Sequence, residues 1–360
     1  MRAALMTEFG KPPEIADFTL EPPGPGEVHL RIGAAGVCHS DLSAIDGVFP
    51  MPLPFIMGHE GAGEVLAVGE GVTEVTPGDH VIISWTPPCG NCPWCLNRQP
   101  ELCLNVLAKS VFAPHHLKDD GTKIAAFSGV GTFSEEAVVA REAVIPIPDD
   151  VPLDVASLIG CGVMTGVGAA INTAKVRPGS SVAVIGCGGV GISVIQGARI
   201  AGAAEIVAID VALHKAEEAK RFGATHATTA DGLEDLKNEI TGGMGGFDYA
   251  FEVVGHPATI RQAYDLTRRG GTTCIVGVGR MDQPVEFSAY ELFFNAKTLM
   301  GSMYGSADVR SDFHRLLRLW RQGKLDLEGM ISRRFDLSEL NDAFDVMKKG
   351  EVVRSVIEFK

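Results

Sequence analysis

"SSVAVIGCGGVGISVIQGARIAGAAEIVAID", residues 180–210, constrains this chain more than any other stretch. Val182 to Ile185 is an apolar run rich in β-branched residues, and Gly186, Gly188 and Gly191 follow it in the spacing G-x-G-x-x-G. "ISVIQGARIAG" then has helical periodicity, and "AEIVAID" is a second apolar strand closed by Asp210. The glycines carry meaning only in this order of strand, turn, helix, strand and acid. The first two permit a tight turn and a close backbone approach to a pyrophosphate. The third lets the helix pack on the strand, and the helix N-terminus faces the phosphates. The stretch therefore predicts dinucleotide binding through Gly186, Gly188, Gly189, Val190 and Gly191. Asp210 is expected to accept hydrogen bonds from the adenosine ribose. Its charge repels a 2′-phosphate and so favours NAD over NADP. The competing reading of Asp210 is a solvated strand end.

Further strand–turn units follow in "FDYAFEVVG" and "GGTTCIVGVG", separated by a helical stretch near residues 257–268. Such near-continuous apolar runs fit a parallel sheet buried on both faces. Val276 and Val278, where the second run closes, join the cofactor-contact candidates. Cys187 and Cys274 read as small packing residues.

Half of the eight cysteines lie in "CGNCPWCLNRQPELC", as Cys89, Cys92, Cys95 and Cys103, with spacing C-x2-C-x2-C-x7-C. The N-terminal "MRAALMTEFGKPPEIADF" lacks the apolar core of a signal peptide and reads as mature protein. No run of about 18 large apolar residues points to a membrane span. A cytoplasmic, reducing compartment is then expected, where disulfides are rare. An iron–sulfur cluster also uses four thiolates, but ferredoxin spacings differ. Thiolates two residues apart turn back onto one ion, and four complete a tetrahedron with no position left for substrate. The cluster is read as a structural zinc site that pins a lobe with little core of its own.

A second set is scattered. "GVCHSD" supplies Cys38 and Asp41, "MGHE" supplies His59 and Glu60, and "LIGCGV" supplies Cys161. Alone, each cysteine reads as a small core residue and the histidine as one satisfied by a carboxylate. Together Cys38, His59 and Cys161 offer two sulfurs and a nitrogen and leave a fourth position open, the pattern of a catalytic zinc. Asp41 is placed to orient the second ring nitrogen of His59. Sequence separation does not say whether these groups meet. The net charge of −14 argues against a phosphate-backbone partner. "RRFDLSELNDAFDVMKKG" is mixed in charge and reads as a helix surface.

These motifs, with "GHEGAGEVLAVGEGV" and "GCGVMTGVGAA" in their order, resemble the zinc-dependent alcohol dehydrogenases of the medium-chain dehydrogenase/reductase superfamily. The resemblance covers essentially the whole chain. It is greatest to the branch holding the class III and thiol-dependent formaldehyde dehydrogenases. It implies an α/β fold with a GroES-like, partly open β-barrel catalytic domain at residues 1–161 and 304–360. A Rossmann doubly wound parallel sheet for NAD lies between, at 162–303.

The resemblance further implies that Cys38, His59 and Cys161 bind the catalytic zinc, with Glu60 close behind it. Two zinc ions per subunit follow. Ser40 begins a proton relay. Where many members continue it with a histidine, this chain has Ser43. Thr165 lies near the nicotinamide, His39 and Arg354 near the pyrophosphate, and Lys215 beside Asp210 at the ribose. Phe49 and Trp85 line the substrate pocket. The implied reaction is reversible hydride transfer from a primary or secondary alcohol to NAD, giving an aldehyde or ketone. A glutathione- or mycothiol-dependent formaldehyde dehydrogenase is the alternative, with Lys109 and Arg141 the nearby cations for an anionic adduct. A nicotinoprotein that retains its NAD and a non-enzymatic structural relative are further readings. No zinc ligand is lost, which speaks against the last. A homodimer or homotetramer is implied, with "TLMGSMYGS" a strand that pairs across a two-fold axis. Neither nucleic acid nor membrane is an expected partner.

Overall fold

A computed structural model describes every residue of the chain except Pro50. The chain divides into two compact units, Met1–Cys161 with Asp308–Lys360, and Gly162–Ala307. Residues 304–307, given to the catalytic domain in the sequence reading, fall within the second unit. The Tyr304–Ser306 turn is tied there: Thr173 Oγ1 lies 2.8 Å from Ser306 Oγ, and Asn172 donates to the Gly305 carbonyl at 3.2 Å.

The second unit holds one six-stranded sheet. Its strands, in spatial order, are His226–Thr228, Glu205–Ile209, Ser181–Ile185, Phe247–Glu252, Thr267–Ile275 and Thr298–Gly301. Every neighbouring pair is parallel. In chain order this is 3-2-1-4-5-6, the doubly wound dinucleotide topology. Residues 182–185 and 206–209 are buried throughout, as strands covered on both faces must be. The Gly189–Ile200 helix follows the first strand, and the Pro257–Leu266 helix joins the fourth to the fifth.

The first unit is built on the 11-residue strand Glu27–Val37. It pairs antiparallel with Gly61–Val68, Glu136–Ala140 and Arg354–Glu358, so residues late in the chain lie beside residues near its start. Burial alternates along its first half and becomes continuous from Ala34, where the strand enters the core. Leu30, Ile32, Phe55, Met57 and Phe133 belong to that core.

One reading is corrected. The "RRF" of the mixed-charge segment ends the strand Ile331–Phe335, which pairs parallel with Arg354–Glu358, and the helix begins only at Leu340. One helical run, Leu153–Thr173, is long and apolar enough to cross a membrane by length and composition, although it has few large apolar side chains. Its window is 83% buried inside the protein, so it serves as a core helix.

Candidate functional site

The first site begins where the central strand of the first unit ends. Cys38 follows Val37 directly and caps the short helix His39–Ile45. Asp41, in that helix's first turn, is fully buried and uses both carboxylate oxygens. One accepts the Cys38 backbone N–H at 3.0 Å, and the other accepts His59 Nδ1–H at 2.9 Å. In its neutral form, a ring that donates through Nδ1 keeps a lone pair on Nε2. His59 Nε2 is buried and has no hydrogen-bond partner among the described residues. Such an orphan is costly in a protein interior unless a ligand completes it.

Cys161 reaches the same place from the buried helix. It sits inside a wide π-turn, Ile159–Val163, a departure from α-helix that re-aims a side chain. Gly160 permits the close approach: a Cβ there would lie 2.7 Å from the Ile83 carbonyl oxygen. One ligand atom from each of Cys38, His59, Glu60 and Cys161 lies within 4.8 Å of the others, and all four residues are buried. Two thiols and an imidazole are a donor set that suits zinc.

Charge is organised around this cluster. Glu60 is ion-paired with Arg354, and both are buried. Gly36 makes room for the pair, since a Cβ there would lie 2.1 Å from Glu60 Oε2 and 2.8 Å from Arg354 Nη2. Burial pushes the Glu60 carboxyl up to about 7, against the pull of Arg354. The hydrogen bond from Cys161 is the main force holding the Cys38 thiol well below the usual range. Donating that bond, and then burial, pushes Cys161 up. Burial disfavours a charged His59, but Asp41 overrides it and raises the ring well above its ordinary value.

The second site holds Cys89, Cys92, Cys95 and Cys103, whose sulfurs also lie within 4.8 Å of one another. Gly90 turns the chain with φ +79°, and Cys92 starts the short helix Pro93–Leu96. The Cys89 N–H points at Cys103 Sγ, 3.3 Å away. Four sulfurs leave only a closed thiolate shell, which suits a structural zinc. All eight cysteines are free thiols.

The third site is the glycine turn of the second unit. Gly186 has φ +98°, a conformation that favours glycine. Gly191 is required by contact, because a Cβ there would fall 1.8 Å from the Gly186 carbonyl oxygen. Gly188 is the N-cap of the Gly189–Ile200 helix and provides no side-chain cap, which leaves the helix N–H groups free for an anion. Asp210 Oδ2 accepts the Cys187 N–H at 2.8 Å, and Oδ1 accepts the Ala212 N–H at 3.0 Å. Lys215 Nζ stands 3.8 Å from Asp210.

The family described as alcohol dehydrogenase GroES-like domain matches residues 24–149, and that described as zinc-binding dehydrogenase matches residues 189–322. A Cereibacter sphaeroides protein named alcohol dehydrogenase class-3 is 39% identical over 99% of each chain. The chain belongs to the zinc-dependent alcohol dehydrogenase family. A second member, from Paracoccus denitrificans and named S-(hydroxymethyl)glutathione dehydrogenase, is 38% identical over 99% of each chain. The benzyl alcohol dehydrogenase of Acinetobacter calcoaceticus superposes with a TM-score of 0.92 at 31% identity, over 100% of this chain and 99% of that one. In this family the fold pairs a GroES-like domain with a Rossmann domain, as described above.

The remaining candidates of this family member fall as follows. His39 is exposed and Ser40 and Ser43 are half-buried on the helix that carries Asp41. Phe49 and Trp85 are half-buried against the core of the first unit. Thr165 is half-buried, Val276 buried and Val278 exposed in the second unit. Arg354, read as a pyrophosphate contact, holds Glu60. Cys187 and Cys274 are buried, which pushes both thiols up to about 12, away from ligand chemistry. Two residues and one pairing were missed. Phe127 stands edge-on to His59 at 5.6 Å between ring centroids and 6.0 Å from Phe49, so it links the histidine to Phe49. Gly36 and the Arg354–Glu60 pairing also had no local signal.

Proposed function

We propose that this protein is an NAD-dependent alcohol dehydrogenase with one catalytic and one structural zinc per subunit. The observation that carries the reading is the convergence of Cys38, His59 and Cys161, with the His59 Nε2 lone pair buried and unpartnered. Those three residues would hold the catalytic ion, with Glu60 behind it, and Cys89, Cys92, Cys95 and Cys103 the structural one. When bound, zinc supplies Lewis acidity toward an alcohol oxygen and NAD supplies the hydride acceptor. Asp41 fixes the imidazole orientation. Ser40 receives the alcohol proton by hydrogen bond and passes it toward solvent. Phe49, Phe127 and Trp85 give the pocket apolar walls suited to aliphatic or aromatic alcohols. The glycine turn and the uncapped helix behind it bind the pyrophosphate, and Asp210 with Lys215 binds the adenosine ribose. Cys38→Ser and His59→Ala should each abolish alcohol-dependent NAD reduction and leave NAD binding measurable. Full activity in either variant overturns the assignment.

A second reading is supported by the relatives at 38–39% identity: oxidation of the hydroxymethyl adduct of a thiol. Lys109 and Arg141, the cations considered for such an adduct, line one cavity of about 790 Å³ beside the four-cysteine cluster. Phe49 and Trp85 are not among its walls. That cavity therefore supplies no cation beside Phe49 or Trp85 for an anionic adduct. Formaldehyde oxidation measured with and without glutathione or mycothiol separates the two. A nicotinoprotein would carry NAD absorbance through purification.

The assembly we propose is a homodimer or a homotetramer. Thr298–Gly301 is an outer strand of the six-stranded sheet, with most of its residues exposed. Beside it in sequence, the helix Ala289–Asn295 exposes Tyr290, Phe293 and Phe294. An open strand edge next to exposed aromatics favours pairing with a second copy.

A further inference from the structure

We propose that Glu252 is a positioning residue for the dinucleotide, an internal anion that fixes the turn beneath it. The proposal rests on the NAD-binding reading above. Glu252 is the last residue of the strand Phe247–Glu252, in register with Ile185 on one side and Ile275 on the other. It therefore stands at the carboxyl edge of the sheet, between the two strands that lead into the glycine turn and into residues 276–279.

The side chain is fully buried, yet it is a carboxylate. Its Oε1 accepts three hydrogen bonds, from Val254 N–H at 2.9 Å, Gly255 N–H at 2.8 Å and Thr259 Oγ1–H at 2.7 Å. Oε2 is buried with no hydrogen-bond partner among the described residues. Burying a carboxylate on these terms is unfavourable, and an apolar residue would pack there at less cost. Thr259 lies in the first turn of the ten-residue helix Pro257–Leu266, so its hydroxyl ties the start of that helix to the carboxylate.

What the anion holds faces the cofactor turn. A Cβ on Gly186 would lie 2.9 Å from Val254 Cγ2, so the hooked turn forms the wall of the first glycine. The Val253 N–H donates to the Ile185 carbonyl at 3.0 Å, just before that glycine. The Glu252 carbonyl accepts from Val276 and Gly277 at 2.8 and 3.0 Å. A Cβ on Gly277 would lie 2.1 Å from the Gly255 nitrogen, so the two turns touch with no space to spare. Glu252 thus ties together residues 186, 253–255 and 276–277. The N-terminus of the Pro257–Leu266 helix is capped by His256, whose Nδ1 accepts the Ala258 N–H at 3.2 Å, whereas the helix at Gly189 has no side-chain cap. Of these two helices, only the second is left free to receive a phosphate.

The test uses the full-length zinc-loaded enzyme. Wild type, Glu252→Ala, Glu252→Gln and Thr259→Val are compared by NAD titration calorimetry, by KM and kcat, by zinc content and by thermal melting. In Glu252→Ala, the NAD dissociation constant and KM should rise about tenfold or more, because the turn amides lose their acceptor. Zinc content should not change, and kcat at saturating NAD should fall less than KM rises. Glu252→Gln keeps the accepting oxygen and should recover most of the affinity. Thr259→Val, which keeps the charge and removes one donor, should fall between. Unchanged NAD affinity in folded Glu252→Ala, whatever its melting temperature, overturns this proposal alone. A wild-type protein that binds no NAD overturns the cofactor reading and this proposal with it.

Discussion

Asp41 holds His59 at 2.9 Å through Nδ1 and, with its other oxygen, the backbone N–H of Cys38 at 3.0 Å. One fully buried carboxylate therefore aligns two of the three proposed zinc ligands. Asp41→Asn keeps the size of the side chain but removes the charge that favours the correct tautomer. Catalytic-zinc affinity should fall by about 10–100-fold. Dialysis against graded chelator, followed by metal analysis, checks this; a loss curve matching that of wild type counts against the role.

Asp210 accepts two backbone amides as well as facing Lys215. Asp210→Gly should raise kcat/KM with NADP, since the repelling charge is gone. It should also weaken NAD binding and lower stability by about 1–3 kcal/mol, because the Cys187 and Ala212 amides lose their acceptor. Steady-state kinetics with both cofactors and urea melts report the two effects separately. An unaltered cofactor preference removes Asp210 from that role.

Cys103 is fully buried among the four clustered cysteines. Cys103→Ser should cost about one of two zinc ions per subunit. The lobe at 89–103 should then be cut early by protease, while NAD binding by the second unit persists. Metal analysis and limited proteolysis at one time point decide the matter.

His116 is buried edge-on to Phe18, and burial, then the neighbouring His115, lowers its pKa to about 4. The unfolded chain takes up the proton first, near pH 6.5. The contribution is thus full above that pH, drains away as pH falls toward 4, and changes no further below. It amounts to roughly 3 kcal/mol. His116→Phe should flatten the stability difference between pH 7 and pH 4.5, measured by urea unfolding.

Phe293 is 81% exposed in the helix beside the outer strand. Phe293→Glu should convert the proposed dimer to monomer in sedimentation experiments without changing zinc content. A wild-type monomer at micromolar concentration removes the assembly from the account.

Local signals carried most of the fold. The glycine turn between two apolar strands identifies its topology because each of its residues answers to a neighbour a few positions away. The four-cysteine lobe is legible for the same reason. Cys38, His59 and Cys161 are different: a π-turn and a strand end bring them together, and neither is written in residue spacing. The resemblance to known dehydrogenases supplied that grouping. Phe127 looked like any core phenylalanine, and Gly36 like any strand glycine. Only the side chains that meet in space reveal that one borders His59 and the other makes room for Arg354 against Glu60. The "RRF" segment misled because arginines on an exposed strand face have the same composition as a helix surface.

The strand Arg354–Glu358, which runs alongside Glu27–Val37, also bears on biosynthesis. While a ribosome is still decoding the intervening stretch, residues 34–37 of the early strand stand with one flank bare. Residues 162–307 are contiguous and are free to complete their own sheet in that interval. Assembly of the half that carries both cysteine clusters is therefore a late event. A growing polypeptide would acquire its nucleotide fold before its Arg354–Glu60 contact, and so before the surroundings of the Cys38, His59 and Cys161 cluster are complete.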